Sequence, residues 1–205
     1  MQFPTTGLYA ITQTEDKTEQ QIIDAVGAAL TGGVAILQYR HKQKTESNAL
    51  ASALLELCHK HSVPMIINDD INLVANIGAD GVHLGKTDGT IEQARNILGT
   101  SAIIGVSCYN SVTRALAAEQ QHASYVAFGR FFTSGSKPLA ALADIATLIK
   151  AKTKLRLPIV AIGGILPDNG RPLIDAGANL LAVIGGLFDN DAELAARAYC
   201  ALFEK

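Results

Sequence analysis

Short apolar runs alternate with longer amphipathic stretches from one end of the chain to the other. The apolar runs fall at residues 7–12 (GLYAIT), 35–40 (AILQYR), 64–69 (PMIIND), 81–84 (GVHL), 102–107 (AIIGVS), 125–129 (YVAFG), 158–164 (PIVAIGG) and 180–185 (LLAVIG). Most are β-branched and apolar at successive positions, the pattern of parallel strands covered on both faces. The stretches between them carry the helical period. In 18–31, Ile22, Val26, Ala29 and Leu30 fall on one side, while Glu19 and Asp24 lie near the start. Residues 46–61, 71–77, 90–98, 111–121, 139–151, 168–176 and 190–203 behave similarly, with 71–77 short. Pro64 and Pro158 introduce strands, and Gly78, Gly99 and Gly177 follow helices as C-terminal caps do.

Eight β–α repeats with no leftover segment predict an α/β fold, a single (βα)8 barrel occupying residues 1–205 as one domain. A doubly wound open sheet shares the alternation and is the alternative. No linker, low-complexity tract or charge run interrupts the pattern.

Composition narrows the function classes. The chain of 205 residues is 48% hydrophobic and 18% charged, with a formal net charge of −2. That balance argues against a general nucleic-acid binder, which needs a basic surplus, and leaves room for a locally basic pocket. No apolar stretch approaches ~18 residues, so no membrane span is expected. The start, MQFPTTGLYAIT, lacks the features of a signal peptide. Cys58, Cys108 and Cys200 show no paired spacing, which predicts neither disulfides nor zinc and points to a reducing cytoplasm. Cys58 and Cys200, in helical patterns, read as buried inert thiols.

Barrel enzymes carry their sites at the C-terminal ends of the strands, and the polar residues of this chain collect there. The second strand ends in Gln38-Tyr39-Arg40-His41-Lys42, where Gln38, Arg40 and Lys42 share one parity and point into the barrel mouth. Tyr39 and His41 take the opposite parity, toward the helices. The third strand ends in Asn68-Asp69-Asp70; the fourth leads through His83 to Lys86 and Asp88; the fifth ends at Ser107. Asp69 and Asp88 are hard oxygen ligands of the kind Mg²⁺ takes together with water and a diphosphate. Asp70 is the preferred cap of the following helix, leaving Asp69 for the metal. Each aspartate, taken alone, also suits a plain helix cap. His83 reads as a satisfied core or rim histidine. The sixth strand runs into GRFFTSGSK at 129–137, and the seventh and eighth end in Gly163-Gly164 and Gly185-Gly186. Such glycine pairs suit either tight turns or the close approach of backbone N–H groups to a phosphate. No Ser-His-Asp set, HExxH or dinucleotide fingerprint stands out.

With these motifs assembled, the chain resembles the thiamine-phosphate synthase family. The likeness runs through GLYAIT, QYRHK, INDD, GADGVHLGKTD, IIGVSCYN, YVAFGRFFTSGSKP, LPIVAIGGI and GANLLAVIGGLF in order. It implies a Mg²⁺-dependent transferase that joins a hydroxymethylpyrimidine diphosphate to a thiazole phosphate, or its carboxylated form, giving thiamine monophosphate and pyrophosphate. It also implies that Gln38, Tyr39, Arg40, His41 and Lys42 form the diphosphate segment, with Asn68 facing the pyrimidine ring. By the same resemblance Asp69 and Asp88 ligate the metal, and Ser107 and Lys137 meet the pyrophosphate. Arg40, Lys42, Ser107 and Lys137 would be the catalytic set. Ser134, Gly135, Ser136, Gly164, Ile184 and Gly185 would surround the thiazole phosphate. The chain departs from the family pattern at His41, Lys86, Gly185 and the SGS of the sixth loop. The implied partners are small phosphorylated molecules, with no nucleic acid and no membrane, and a homo-oligomer is neither specified nor forbidden. The alternatives are a thiazole-tautomerase-like isomerase, which relies on a histidine after the sixth strand, and a barrel that only binds a phosphorylated ligand.

Overall fold

Strands that are apolar on both faces need cover on both, and a closed barrel ringed by helices supplies it. The computed structural model describes residues 1–41, 48–133 and 141–204. Eight parallel strands close into a barrel in chain order: β1 (Gly7–Ile11), β2 (Ile36–Tyr39), β3 (Met65–Asn68), β4 (Gly81–Leu84), β5 (Ile103–Tyr109), β6 (Tyr125–Gly129), β7 (Ile159–Ile162) and β8 (Leu180–Val183). Closure is made by β8 against β1, with Gly7 opposite Leu180 and Tyr9 opposite Ala182. The open-sheet alternative is therefore excluded.

The helices are α1 (Glu19–Thr31), α2 (Asn48–Lys60), α3 (Ile71–Ile77), α4 (Ile91–Leu98), α5 (Val112–Gln120), α6 (Ile145–Lys152), α7 (Arg171–Asp175), α8 (Gly185–Phe188) and α9 (Ala192–Cys200), followed by a 3₁₀ turn at Ala201–Phe203. Local chemistry sets their starts. Thr18 with Gln21, and Thr90 with Gln93, form capping boxes on α1 and α4. Ser111, Asp144 and Asp191 cap α5, α6 and α9. The Asp144 cap starts α6 at Ile145, later than the periodicity suggests, and α7 is shorter than 168–176 because its first turn is held by Leu166 accepting from Asn169 and Gly170. The four-residue α8, within GGLF, is too short to leave a periodic signal.

Strand parity divides the core in two. Tyr9, Ile11, Ile36, Ile66, Ile103, Tyr125, Val160 and Leu180 pack with one another inside the barrel. Leu8, Ala10, Leu37, Ile67, Val82, Val126 and Leu181 face the helices together with Val26, Leu54 and Leu148. Each large aliphatic side chain removed from water contributes about 1.5–3 kcal/mol. All three cysteines are free; burial pushes the Cys58 and Cys108 thiols up to about 12, so both are inert at neutral pH. Among the described residues no helix is long and apolar enough to cross a membrane.

One buried acid fastens the N-terminal ends of the strands. Asp80, whose side chain is only 6% exposed, accepts from the Met65 backbone N–H at 2.9 Å and meets His59 Nε2 at 2.9 Å and the Met1 ammonium at 3.0 Å. Burial alone would raise its pKa; these donors outweigh that and hold it below the usual carboxylate value. A depressed folded pKa gives stability that is present above the unfolded value near ~3.9 and lost as pH falls through the lower folded value. Thermal melts are therefore expected to lose stability steeply below about pH 4. Asp80→Asn is expected to cost about 1–3 kcal/mol at pH 7 and to flatten that acid limb. An unchanged acid limb in the variant would remove Asp80 as its source.

Candidate active site

The polar ends of β2, β3 and β4 meet at the C-terminal rim, where His41, Asn68, Asp69, Asp70, Ile71, Asn72 and Asp88 line a cleft of about 390 Å³. The third strand divides its acids by role. Asp70 Oδ1 accepts from the Leu73 N–H at 2.9 Å and caps α3, as expected. Asp69 sits at φ +64°, a left-handed conformation that aspartate tolerates better than most residues. Its N–H donates to the His83 carbonyl at 2.9 Å, tying the end of β3 to β4. Its carboxylate takes an N–H from the Asn68 amide at 2.6 Å and lines the cleft, leaving the α3 cap to Asp70. Asp88 does not cap a helix either, since Thr90 caps α4; its Oδ2 accepts from the Gly85 N–H at 2.9 Å.

The two carboxylates converge on Gly85. A side chain there would run into the Asp88 carboxylate and come within 4.0 Å of Asp69 Oδ1. Among the described residues no three His, Cys, Asp or Glu side chains are arranged so that they could hold a metal ion by themselves. Two carboxylates on one cleft form a donor set for a hard divalent cation that keeps several waters, not for a fully protein-caged ion.

At the end of β2, the backbone of Arg40 is pinned from both sides by Thr12: the Arg40 N–H donates to Thr12 Oγ1 at 2.8 Å, and that hydroxyl donates to the Arg40 carbonyl at 3.1 Å. Thr12, 1% exposed, had no signal in the sequence beyond its place at the end of the first strand. Arg40 is half-buried just past the end of β2. Three neighbours of Arg40 are placed by the fold. Gln38 is 3% exposed inside the barrel and donates to the Tyr9 hydroxyl at 2.9 Å. Tyr39 packs among the buried side chains between strands and helices, as its parity predicted. His41 lines the cleft while its ring stays 6.3 Å from that of Tyr39. Lys42 lies outside the described residues.

Ser107 lies toward the C-terminal end of β5. It sits at a register shift of β5 against β6, half-buried, with Oγ 2.9 Å from His83 Nε2. Behind it runs an interior chain: His83 Nδ1 to the Tyr125 hydroxyl at 2.9 Å, and Tyr125 to the Tyr9 hydroxyl at 2.7 Å. His83 is thus satisfied, as the sequence suggested, but by partners that lead to the site. Tyr9 and Tyr125 read as ordinary strand residues in the sequence; their interior parity, shared with Gln38, His83 and Ser107, was the signal available. Arg114, on α5, was also unmarked. Its Nε donates to the Ser107 carbonyl at 2.8 Å and its terminal nitrogen to the Gly85 carbonyl at 3.0 Å, so one guanidinium spans the Ser107 and Asp88 loops.

Across the mouth, Gly163 and Gly164 follow β7 at φ +105° and +65°. Side chains there would run into Arg130 and into the Thr133 carbonyl, so this glycine pair admits the loop leaving β6. Asn169 Nδ2 donates to the Gly164 carbonyl at 3.1 Å and holds the turn. Ile184 and Gly185 lie where β8 passes into α8. Ser134, Gly135, Ser136 and Lys137 lie outside the described residues.

Carboxylates, a basic β2 terminus and glycine turns on one rim define the class: a (βα)8-barrel protein with a strand-end site suited to anionic small molecules. The family model for thiamine monophosphate synthase matches residues 8–187, and the chain belongs to that family. The thiamine-phosphate synthase of Nitrosococcus oceani is 52% identical over 196 residues, covering 94% of this chain and 90% of the relative. That of Methylococcus capsulatus is 47% identical over 205 residues, covering 98% and 91%. The solved structure of thiamine phosphate pyrophosphorylase from Pyrococcus furiosus superimposes with a TM-score of 0.87 at 31% identity, covering 97% of this chain and 95% of that one.

Proposed function

We propose that this chain joins 4-amino-2-methyl-5-hydroxymethylpyrimidine diphosphate to 4-methyl-5-(2-hydroxyethyl)thiazole phosphate, or to its carboxylated form, releasing pyrophosphate. The observation that carries the reading is the convergence of Asp69 and Asp88 beside Asn68 and the β2 terminus, in a chain whose full-length relatives bear that name.

In the reaction the bond from the pyrimidine methylene carbon to the diphosphate oxygen breaks, and its electron pair leaves with the pyrophosphate. The aminopyrimidine ring stabilises the electron-poor carbon, and the lone pair of the thiazole nitrogen forms the new C–N bond. No protein nucleophile is needed. The protein has to neutralise charge growing on oxygen and hold two substrates in line. Arg40, Lys42 and Lys137 serve as cationic donors to the diphosphate and Ser107 as a hydroxyl donor. Asn68 faces the pyrimidine ring. Mg²⁺ held by Asp69 and Asp88 would add positive charge at the leaving oxygens. Ser134, Gly135, Ser136, Gly164, Ile184 and Gly185 form the thiazole-phosphate pocket in this reading, using backbone N–H groups and hydroxyls.

The test is substrate dependence. With Mg²⁺ and the pyrimidine diphosphate, thiamine monophosphate is expected only after the thiazole phosphate is added. Binding of both compounds without product would reduce the protein to a ligand-binding barrel. Isomerisation of a thiazole without pyrophosphate release would make it an isomerase.

A further inference from the structure

The interior hydrogen-bond chain has a direction. An amide nitrogen can only donate, and Gln38 Nε2 lies 2.9 Å from the Tyr9 hydroxyl. Tyr9, with that donor on its oxygen, has one proton to give, and Tyr125 lies 2.7 Å away. Tyr125 in turn has one proton, and His83 Nδ1 is 2.9 Å off. With Nδ1 accepting, a neutral imidazole carries its proton on Nε2, which faces Ser107 Oγ at 2.9 Å. Ser107 is then an acceptor toward His83, and its own proton must be directed elsewhere.

The surroundings protect that order. Tyr9 is 1% exposed, Tyr125 fully buried and Gln38 3% exposed. Phe3 stacks on Tyr125 with ring centroids 4.2 Å apart, covering the chain from the N-terminal side of the barrel. Burial pushes both tyrosine hydroxyls well above their usual range, so both remain protonated phenols. Gly105 makes room for Tyr125, since a side chain there would run into its ring. Reversing the chain would bring two donors onto the Tyr9 oxygen and turn its own proton away from Tyr125 in a dry core, a costly arrangement.

We propose that Gln38, Tyr9, Tyr125 and His83 form a one-way orienting relay that makes Ser107 an obligate hydrogen-bond donor to the departing pyrophosphate. No proton is transferred along it. His83, Tyr125 and Tyr9 are positioning residues, and Ser107 is the group that touches substrate. The inference rests on the reading of Ser107 as a pyrophosphate contact given above. A hydroxyl locked as donor is ready for an anion before the anion forms, which is preorganisation of the kind that favours the transition state over the bound substrate.

Two measurements test it. ¹⁵N-histidine spectra of the wild-type protein should place the His83 proton on Nε2; a proton on Nδ1 overturns the relay without any variant. In kinetics, Ser107→Ala should lower kcat by roughly 10²-fold. His83→Asn, whose amide reaches toward Tyr125 and not toward Ser107, should fall comparably. His83→Gln, whose amide nitrogen takes the place of Nε2, should recover turnover to within several-fold. Tyr125→Phe should lower kcat about tenfold while leaving KM for the pyrimidine diphosphate near its wild-type value. Tyr9→Phe, which leaves Tyr125 its own proton, should have a smaller effect. If Ser107→Ala is slow while His83→Asn and Tyr125→Phe turn over normally, the relay fails and the Ser107 contact stands. If Ser107→Ala is itself unimpaired, the underlying contact fails and the relay's role goes with it.

Discussion

Asp69→Asn is expected to lower kcat/KM by about 10²–10³-fold and to raise the Mg²⁺ concentration needed for half-maximal turnover. Asparagine is the sharper replacement than alanine, because Asp69 sits at φ +64° and asparagine shares aspartate's tolerance of that backbone. The fold should survive, since the carboxylate is exposed on the rim. Asp70→Ala provides the contrast. It removes the side chain that accepts from Leu73 N–H, costing about 0.5–2 kcal/mol of stability, with far less effect on turnover. Steady-state kinetics and thermal melts on both variants separate the roles. A fully active Asp69→Asn beside an inactive, well-folded Asp70→Ala would reverse the assignment.

Gly81→Ala is expected to be the most damaging substitution for the fold. Gly81 pairs with Ile103 of β5, and a side chain at Gly81 would overlap the Ile103 carbonyl and lie 2.8 Å from its Cα. The obstruction is backbone, so no rotamer change relieves it and the β4–β5 pair must spread. A cost of about 3 kcal/mol is expected, equivalent to a fall of roughly 6–12 °C in Tm for a chain of this size. Turnover should fall as well, because β4 carries His83 and leads to Asp88. A melt within about 2 °C of wild type would show that the two strands have slack at this point.

The sequence pattern and the structure agree where local physics decides. Runs apolar on both faces became strands because only a covered parallel sheet accepts them, and Asp70 caps α3 because its position beside a helix start favours a short acceptor side chain. Strand parity carried Tyr39 to the helix layer. His41, past the last paired residue of β2, keeps its ring beside Tyr39 and also lines the cleft. The interior chain was not legible as a whole. Tyr9 and Tyr125 are 116 residues apart, and which residues of non-adjacent strands share a level of the barrel depends on closure and register. Arg114 was hidden for a related reason, since its reach to Ser107 and Gly85 depends on how α5 lies over β4 and β5. The glycine pair after β7 looked like a phosphate turn; its neighbours Arg130 and Thr133 show that it also admits the β6 loop.

The central claim is that one turnover couples loss of pyrophosphate to formation of a carbon–nitrogen bond. Its most direct test is simultaneous quantification of pyrophosphate and thiamine monophosphate, by phosphorus NMR, in a reaction holding Mg²⁺ and both substrates. The account predicts equal amounts of the two products at every time point and neither when Mg²⁺ is chelated. Pyrophosphate accumulating without thiamine monophosphate, or no conversion of either substrate, would contradict it.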